Sequence, residues 1–356
     1  MAQSNTESVI REITSQFLPS AEWHSYESIP TGHINRTYRV KVIHSGAEKD
    51  FLLQNLNTNV FTRPFAVTHN IVRCASFLQE QCPNYPYEIL TPVPHAQSGA
   101  YLVTTDQQAW RMFHFVDDAR SLDQVTNQHE AGMIGEAFGT FLSYINQDDP
   151  QNYKITIPDF HNFTKRYQGF KSYLAERKPI ENEVARFLVA RIDDYADVFL
   201  DQETMDFPSR VIHHDTKANN VLLDRQTGSP KCIIDLDTLM PGDIFSDFGD
   251  LMRTVLNPYE EDKFPENGRL VPDDMIDSLF NGFKNPLSQL LTNAEIKYLI
   301  KGGKKITLLQ VLRFLEDELK GDVYYQVDYQ GHNLDRALSQ MYLFERMEKE
   351  GLEQLV

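Results

Sequence analysis

The chain of 356 residues has only three cysteines, Cys74, Cys82 and Cys232. An odd number at those spacings is neither a disulfide framework nor a zinc pattern, so free thiols in a reducing compartment are expected. Long apolar runs are also missing. None approaches the length of about 20 residues that spans a bilayer. The opening stretch MAQSNTESVIREITSQFL has no basic segment followed by an apolar core, so no signal peptide is read there. The expectation is a soluble, cytoplasmic protein with no membrane partner. Basic residues are outnumbered, 34 Lys and Arg against 51 Asp and Glu, which leaves a net charge of −17. That excludes nucleic acid as the main partner, because neutralising a phosphate backbone takes clustered Lys and Arg. ATP is not excluded, since a local metal site can handle its charge. No segment calls for a protein partner.

Several motifs are absent as well. There is no GxxxxGK(S/T), which removes a P-loop enzyme, and no GxGxxG. HExxH, GxSxG and paired CxxC are missing, which removes the commonest hydrolase and zinc chemistries. No internal repeat, low-complexity run or long Gly/Ser linker interrupts the chain.

What remains is ordinary globular composition, 41% hydrophobic and 24% charged. The length suits two domains or one two-lobed domain. Residues 5–18 read as a helix, with Val9, Ile10, Ile13 and Phe17 mostly on one face. IPTGHINRTYRVKVI and FLLQNLN read as a hairpin turned near Ser45 and Gly46, followed by a helix over about 65–79. AYLVTTDQQAWRMFHFV reads as two more strands. Residues 1–115 thus form a small antiparallel-sheet lobe, and 116–356 a larger, mostly helical one. In the second lobe, helices are read over 129–147 and within 160–203. Short strands are read over 211–237, and the helices beyond are interrupted at NPYEED, FPENGRLVP, KGGKK and YQGHN.

The chemistry concentrates in VIHHDTKANNVLLD and CIIDLD. His213, Asp215, Lys217, Asn220 and Asp235 fall along strand, loop, strand, turn and strand. Phosphoryl transfer needs a carboxylate to orient the attacking hydroxyl, oxygen ligands for Mg²⁺, and a cation for the phosphoryl oxygens. Asp215 suits the first role, Asn220 and Asp235 the second, and Lys217 the third. Asp237 is a further candidate ligand. NVLLD leaves the loop as a strand, RQTGSPK turns it, and CIIDLD returns, which brings Asp235 beside Asn220. His213 is read as positioning the loop. Asp243, Asp247 and Asp250 are read as capping or bonding backbone. A Gly at Gly32, with Asn35 following, would let backbone N–H groups approach a phosphate.

HHDTKANN and IIDLD, in this lobe order, resemble the aminoglycoside phosphotransferase and choline kinase group of protein-kinase-like enzymes. TGHINRTY, FLLQNLNTNVF, DTKANNVLLD, IDLDTLMPGDIFSDFGDLMR, RFLEDELKGDVYY and GHNLDRA are similar to the N-acetylhexosamine 1-kinases within that group. Those segments run from about residue 31 to 337. The resemblance implies an α+β, two-lobed protein-kinase-like fold with ATP in the cleft and Mg²⁺ beside it. It implies phosphorylation of the anomeric hydroxyl of N-acetylglucosamine or N-acetylgalactosamine. By position, Asp215 matches the catalytic aspartate, which also meets the substrate, and Asn220 and Asp235 match the metal ligands. Arg313 and Tyr324 match sugar contacts. The hinge is placed near Phe113–Asp117, with Phe115 meeting the nucleotide. Where protein kinases carry a lysine on the third strand, FLLQNLN offers Gln54, so the charge must come from elsewhere, with Lys217 and Mg²⁺ the candidates named. A kinase for another sugar, choline or an aminoglycoside stays open as the alternative.

Overall fold

The computed structural model describes residues 2–29, 34–105, 107–200, 207–257, 263 and 271–350. Strand β2 (Arg36–His44) and strand β3 (Ala47–Leu56) alternate as the sequence suggests. Tyr38, Val40, Val42, Phe51 and Leu53 are all buried. They pair antiparallel from Arg36 with Asn55 to His44 with Ala47. The connecting Ser45 and Gly46 both have positive φ, 55° and 78°, which is the two-residue turn whose twist matches that of the strands. Strand β1 (Glu22–Ile29) lies outside β2, and strand β6 (Gln108–His114) lies on the far side of β3. Strands β4 (Pro92–Val93) and β5 (Val103–Thr105) both pair with β6. Helix α1 (Ala2–Phe17) lays Ile10, Ile13 and Phe17 into one core with Val40, Leu53 and Met112 of this sheet.

Helix α2 (Pro64–Gln81) follows the sheet in sequence but packs elsewhere. Val67, Ile71, Cys74 and Leu78 belong to the core of the larger lobe. Asn70 bolts the helix there. Its amide donates to the carbonyls of Lys154 and Leu239, both at 2.7 Å, and it accepts the Lys154 N–H at 2.8 Å. The three cysteines are buried free thiols.

The larger lobe packs helix α3 (Gln128–Ile145) against helix α7 (Asp273–Lys284), and helix α6 (Ile244–Leu256) against helix α8 (Asn293–Lys320). Helices α4 (Phe163–Glu176), α5 (Glu183–Leu200) and α9 (His332–Glu350) build a second apolar cluster on α8. The α3–α7 approach depends on glycine, because a Cβ at Gly139 would stand 2.4 Å from the Phe283 carbonyl oxygen. We expect Gly139→Ala to lower the melting temperature. Overpacking costs about 1–3 kcal/mol, against about 1 kcal/mol gained in helix propensity. A backbone neighbour cannot rotate away, so the loss wins. Thermal denaturation would check it.

The break expected at KGGKK does not occur, since α8 runs unbroken through Gly302 and Gly303. Here too glycine serves packing. A Cβ at Gly302 would meet the Phe245 carbonyl oxygen of α6 at 2.4 Å. The helix ends instead at Gly321, at φ 89°, before YQGHN. Its start is a capping box of Thr292 and Glu295. NPYEED and FPENGRLVP fall largely outside the described residues. Among the described residues no helix is long and apolar enough to cross a membrane.

Between the helices lie two small sheets. Strands β9 (Val221–Asp224) and β10 (Pro230–Ile233) form the expected hairpin, extended by β7 (Ala119–Arg120). Strand β8 (Arg210–Ile212) pairs with β11 (Met240–Gly242). These sheets carry the site.

Candidate active site

The loop between β8 and β9 is built from backbone bonds to buried side chains. Asp247 on α6 is fully buried. Its two oxygens accept the N–H groups of His213 and His214, each at 2.7 Å. Its own carbonyl accepts the Thr216 hydroxyl at 2.6 Å. Burial pushes the Asp247 carboxyl up to about 7, opposed by those two N–H bonds. The expectation that Asp247 bonds backbone is met. Asp243 takes the N-cap position of α6, whereas Asp250 instead pairs with Arg253 one turn on, at 2.9 Å, with both side chains buried.

His213 joins the loop to the hairpin. Nδ1 accepts the Asp215 N–H at 3.2 Å, and Nε2 lies 2.9 Å from the Ile234 carbonyl oxygen. The ring is buried edge-on to Phe138 and Phe141. Burial is the main reason its pKa falls below the ordinary value. The neutral ring with the proton on Nε2 satisfies both bonds.

The hairpin closes as its length implies. Val221 pairs with Ile233, and the Ile234 N–H donates to the Asn220 carbonyl at 2.9 Å, which sets Asp235 next to Asn220. The Asn220 amide donates to the Asp215 carbonyl at 2.8 Å and to its Oδ2 at 3.3 Å. Lys217 Nζ stands 3.0 Å from Asp215 Oδ1. Asp215, Lys217, Asn220 and Asp235 therefore converge on one cleft.

Two residues of this region carry backbone strain. His214 and Asp235 have φ of 65° and 60°. Non-glycine residues in the left-handed region are uncommon and cluster at functional sites.

The charges are crowded. Burial works against ionising Asp215, but Lys217, His213 and Arg253 together outweigh it, and the carboxyl titrates below its ordinary range. Asp235 is open to the cleft yet ringed by protein. That enclosure, with Asp237 and Asp215 nearby, pushes its carboxyl up to about 7, while Lys217 and Arg111 pull it down. Such a set favours a bound cation. Among the described residues no group of three or more His, Cys, Asp or Glu side chains could hold a metal ion alone. A Mg²⁺ site needs only one or two protein carboxylates, its other positions going to water and substrate phosphate oxygens.

On the sheet side the picture departs from the sequence reading. Asp237 is buried. Oδ1 takes Arg111 Nη2 at 2.5 Å, and Oδ2 takes the Asn35 amide at 2.6 Å. Both oxygens expected for a metal are thus already bonded. Asn35 is likewise engaged, accepting the Asn57 N–H at 3.0 Å. It links the lobes. The Phe115 N–H donates to the Asp50 carbonyl at 3.4 Å, and its ring lies under the Arg39 guanidinium at 4.4 Å. Gly32 lies outside the described residues.

Across the cleft, Arg313 of α8 is 8% exposed and stacks on aromatic faces. Its guanidinium lies 4.7 Å from the Phe160 ring and 5.6 Å from each of the Tyr324 and Tyr325 rings. Among the described residues no hydrogen bond or ion pair to Arg313 is formed. Tyr324 and Tyr325 also line a cavity of about 500 Å³ that reaches Asn35, Thr37 and Asn57. His161 stacks on Phe160 and lies 5.1 Å from His214, ring to ring.

Sequence reasoning passed over Phe160, His161, Arg111 and the Asp250–Arg253 pair. Only the last had a signal, an acid and an arginine three apart on one helix.

The chain matches the model of the phosphotransferase enzyme family over residues 25–267. Solved structures share its fold at low identity. A microcompartment-associated aminopropanol kinase superposes at a TM-score of 0.67 and 17% identity, over 97% of this chain and 99% of that one. Spectinomycin phosphotransferase, solved with ADP and spectinomycin, gives 0.57 and 12%, over 97% and 98%. The ethanolamine kinase of Plasmodium vivax gives 0.54 and 12%, over 91% and 83%. With the family model spanning more than half its length, this chain belongs to the phosphotransferase enzyme family and has its two-lobed, kinase-like fold.

Proposed function

We propose that the protein transfers the γ-phosphate of ATP to the anomeric hydroxyl of an N-acetylhexosamine, N-acetylglucosamine or N-acetylgalactosamine. The observation that carries the phosphoryl-transfer part is the convergence of Asp215, Asn220 and Asp235 on one cleft. Asp215 accepts the proton of the attacking hydroxyl and orients its oxygen. Its ionised form, favoured by Lys217, is the form that does so. Lys217 then lies beside the phosphoryl group in flight. Asn220, whose side-chain N–H is already turned to Asp215, has its side-chain oxygen Oδ1 left for a cation, and Asp235 supplies the charged oxygen. When bound there, Mg²⁺ offsets the negative charge of the phosphates. Asp237 holds Arg111 and Asn35.

Arg313 supports the sugar part. A guanidinium framed by aromatic faces, with no polar partner among the described residues, suits a hydroxylated sugar ring whose C–H face can pack on the aromatics and whose oxygens can accept forked hydrogen bonds. The same arrangement disfavours a cationic amine, which would meet Arg313 with no ion-paired carboxylate between them. Screening ADP release with both N-acetylhexosamines, choline, ethanolamine and an aminoglycoside tests this. Turnover with the hexosamines alone is expected, and turnover confined to amines would overturn the assignment. In the same assay, Arg313→Ala should raise the sugar KM by about 10- to 100-fold, the worth of one or two charged hydrogen bonds. The KM for ATP should stay unchanged.

A further inference from the structure

Gln54 stands where a strand cation would be expected to meet the phosphates, and the residue paired with it across the sheet is Arg111 of β6. Cross-strand partners face the same side of a sheet, so the two side chains share one surface. Arg111 is 3% exposed, a charge inside the protein. Its Nε and Nη2 donate to Gln54 Oε1 at 3.0 and 2.7 Å, and Nη2 also donates to Asp237 Oδ1 at 2.5 Å. Gln54 is itself held, its amide donating to the Thr37 hydroxyl at 3.2 Å. That accounts for three of the five N–H donors of a guanidinium. The remaining atom, Nη1, is buried and has no partner among the described residues. An ion pair with Asp237 alone does not explain Nη1, because an unmet buried donor is costly and Nη2 already serves the carboxylate. Asp237 lies two residues beyond Asp235, so the guanidinium it holds sits beside the segment that carries the proposed metal ligand.

We infer that Arg111 is a second phosphate-binding cation of this site beside Lys217, with Nη1 donating to a phosphate oxygen of the bound nucleotide. Gln54 and Asp237 fix the guanidinium plane, and a planar fork matches phosphate better than the point charge of a lysine. The positive charge that Gln54 lacks is thus carried by the neighbouring strand and aimed by Gln54 itself.

This inference rests on the nucleotide reading of the cleft, and the experiment separates the two. Affinities for adenosine, ADP and ATP are measured calorimetrically for the wild-type chain, Arg111→Lys and Arg111→Met. The inference predicts that Arg111→Met weakens ADP and ATP by about 10- to 100-fold, the range for a charged hydrogen bond. Adenosine binding should stay unchanged, and Arg111→Lys should recover part of the loss. Where Arg111→Met does not fold, the double variant Arg111→Met with Asp237→Asn, which removes the stranded carboxylate, carries the same comparison. Equal weakening of adenosine and ADP, or no weakening of either, would make Arg111 structural and overturn the inference while leaving the nucleotide reading standing. A wild-type chain that binds none of the three would overturn both.

Discussion

Asp215→Asn should lower kcat by about 10²- to 10⁴-fold, the usual worth of a positioned general base, and leave nucleotide affinity unchanged. The substitution keeps size and shape but removes the proton acceptor. The surrounding geometry makes this a clean test. The loop is held mainly by Asp247 and His213 through backbone bonds, and the Asp215 carboxylate adds only a long bond from the Asn220 amide and the pair with Lys217. The carbonyl oxygen of the introduced amide can still accept from Lys217. Folding should therefore survive, and steady-state kinetics with parallel ADP titration would show loss of turnover without loss of binding. Near-normal turnover would remove Asp215 from the chemistry.

The second large effect is expected at Asp235. Asn is the informative replacement, because it tolerates the left-handed backbone found there, whereas Ala adds strain. Asp235→Asn removes charge from a metal site, where electrostatic stabilisation is worth several kcal/mol. At about 1.4 kcal/mol per decade that is a hundredfold or more in rate. The Mg²⁺ concentration for half-maximal activity should rise in parallel. Stability without metal should not fall, since Asp235 is repelled by Asp237 and Asp215 and removing its charge relieves that repulsion. Magnesium titration of turnover, alongside thermal melting, checks both halves. Full activity of the variant in a chelator would refute a metal at this position.

The legible part of this protein was the part encoded locally. HHDTKANN and IIDLD are close in sequence, and the hairpin that joins them follows from turn residues and two apolar strands. The hairpin itself was readable from the chain alone, and it closes with Val221 paired to Ile233. The Ser45–Gly46 turn was readable for the same reason. Strand β1 was not singled out, because an edge strand with mostly exposed or half-exposed side chains shows no clean alternation. The glycines of KGGKK resemble a helix stop, yet their cause is the close approach of α6, through the Phe245 carbonyl, 57 residues from Gly302, and the Met252 side chain at Gly303.

The same distance effect hid the holding network. Asp237 was read as a further candidate metal ligand in an acidic run interleaved with apolar residues. Its actual partners, Arg111 and Asn35, lie 126 and 202 positions away. A charge pair of that separation leaves no mark in a single sequence. Asp247 was assigned to capping or backbone bonding because the acidic run is interleaved with apolar residues such as Ile244 and Phe248. Which backbone it served was set by α6 folding against the loop.

The most direct test of the central claim is phosphorus NMR of a reaction containing the protein, ATP, Mg²⁺ and N-acetylglucosamine. The account predicts ADP together with a phosphomonoester coupled to the anomeric proton, a sugar 1-phosphate, and no such product with Asp215→Asn. A phosphate on any other hydroxyl of the sugar, or consumption of ATP to inorganic phosphate with the sugar unchanged, would contradict it.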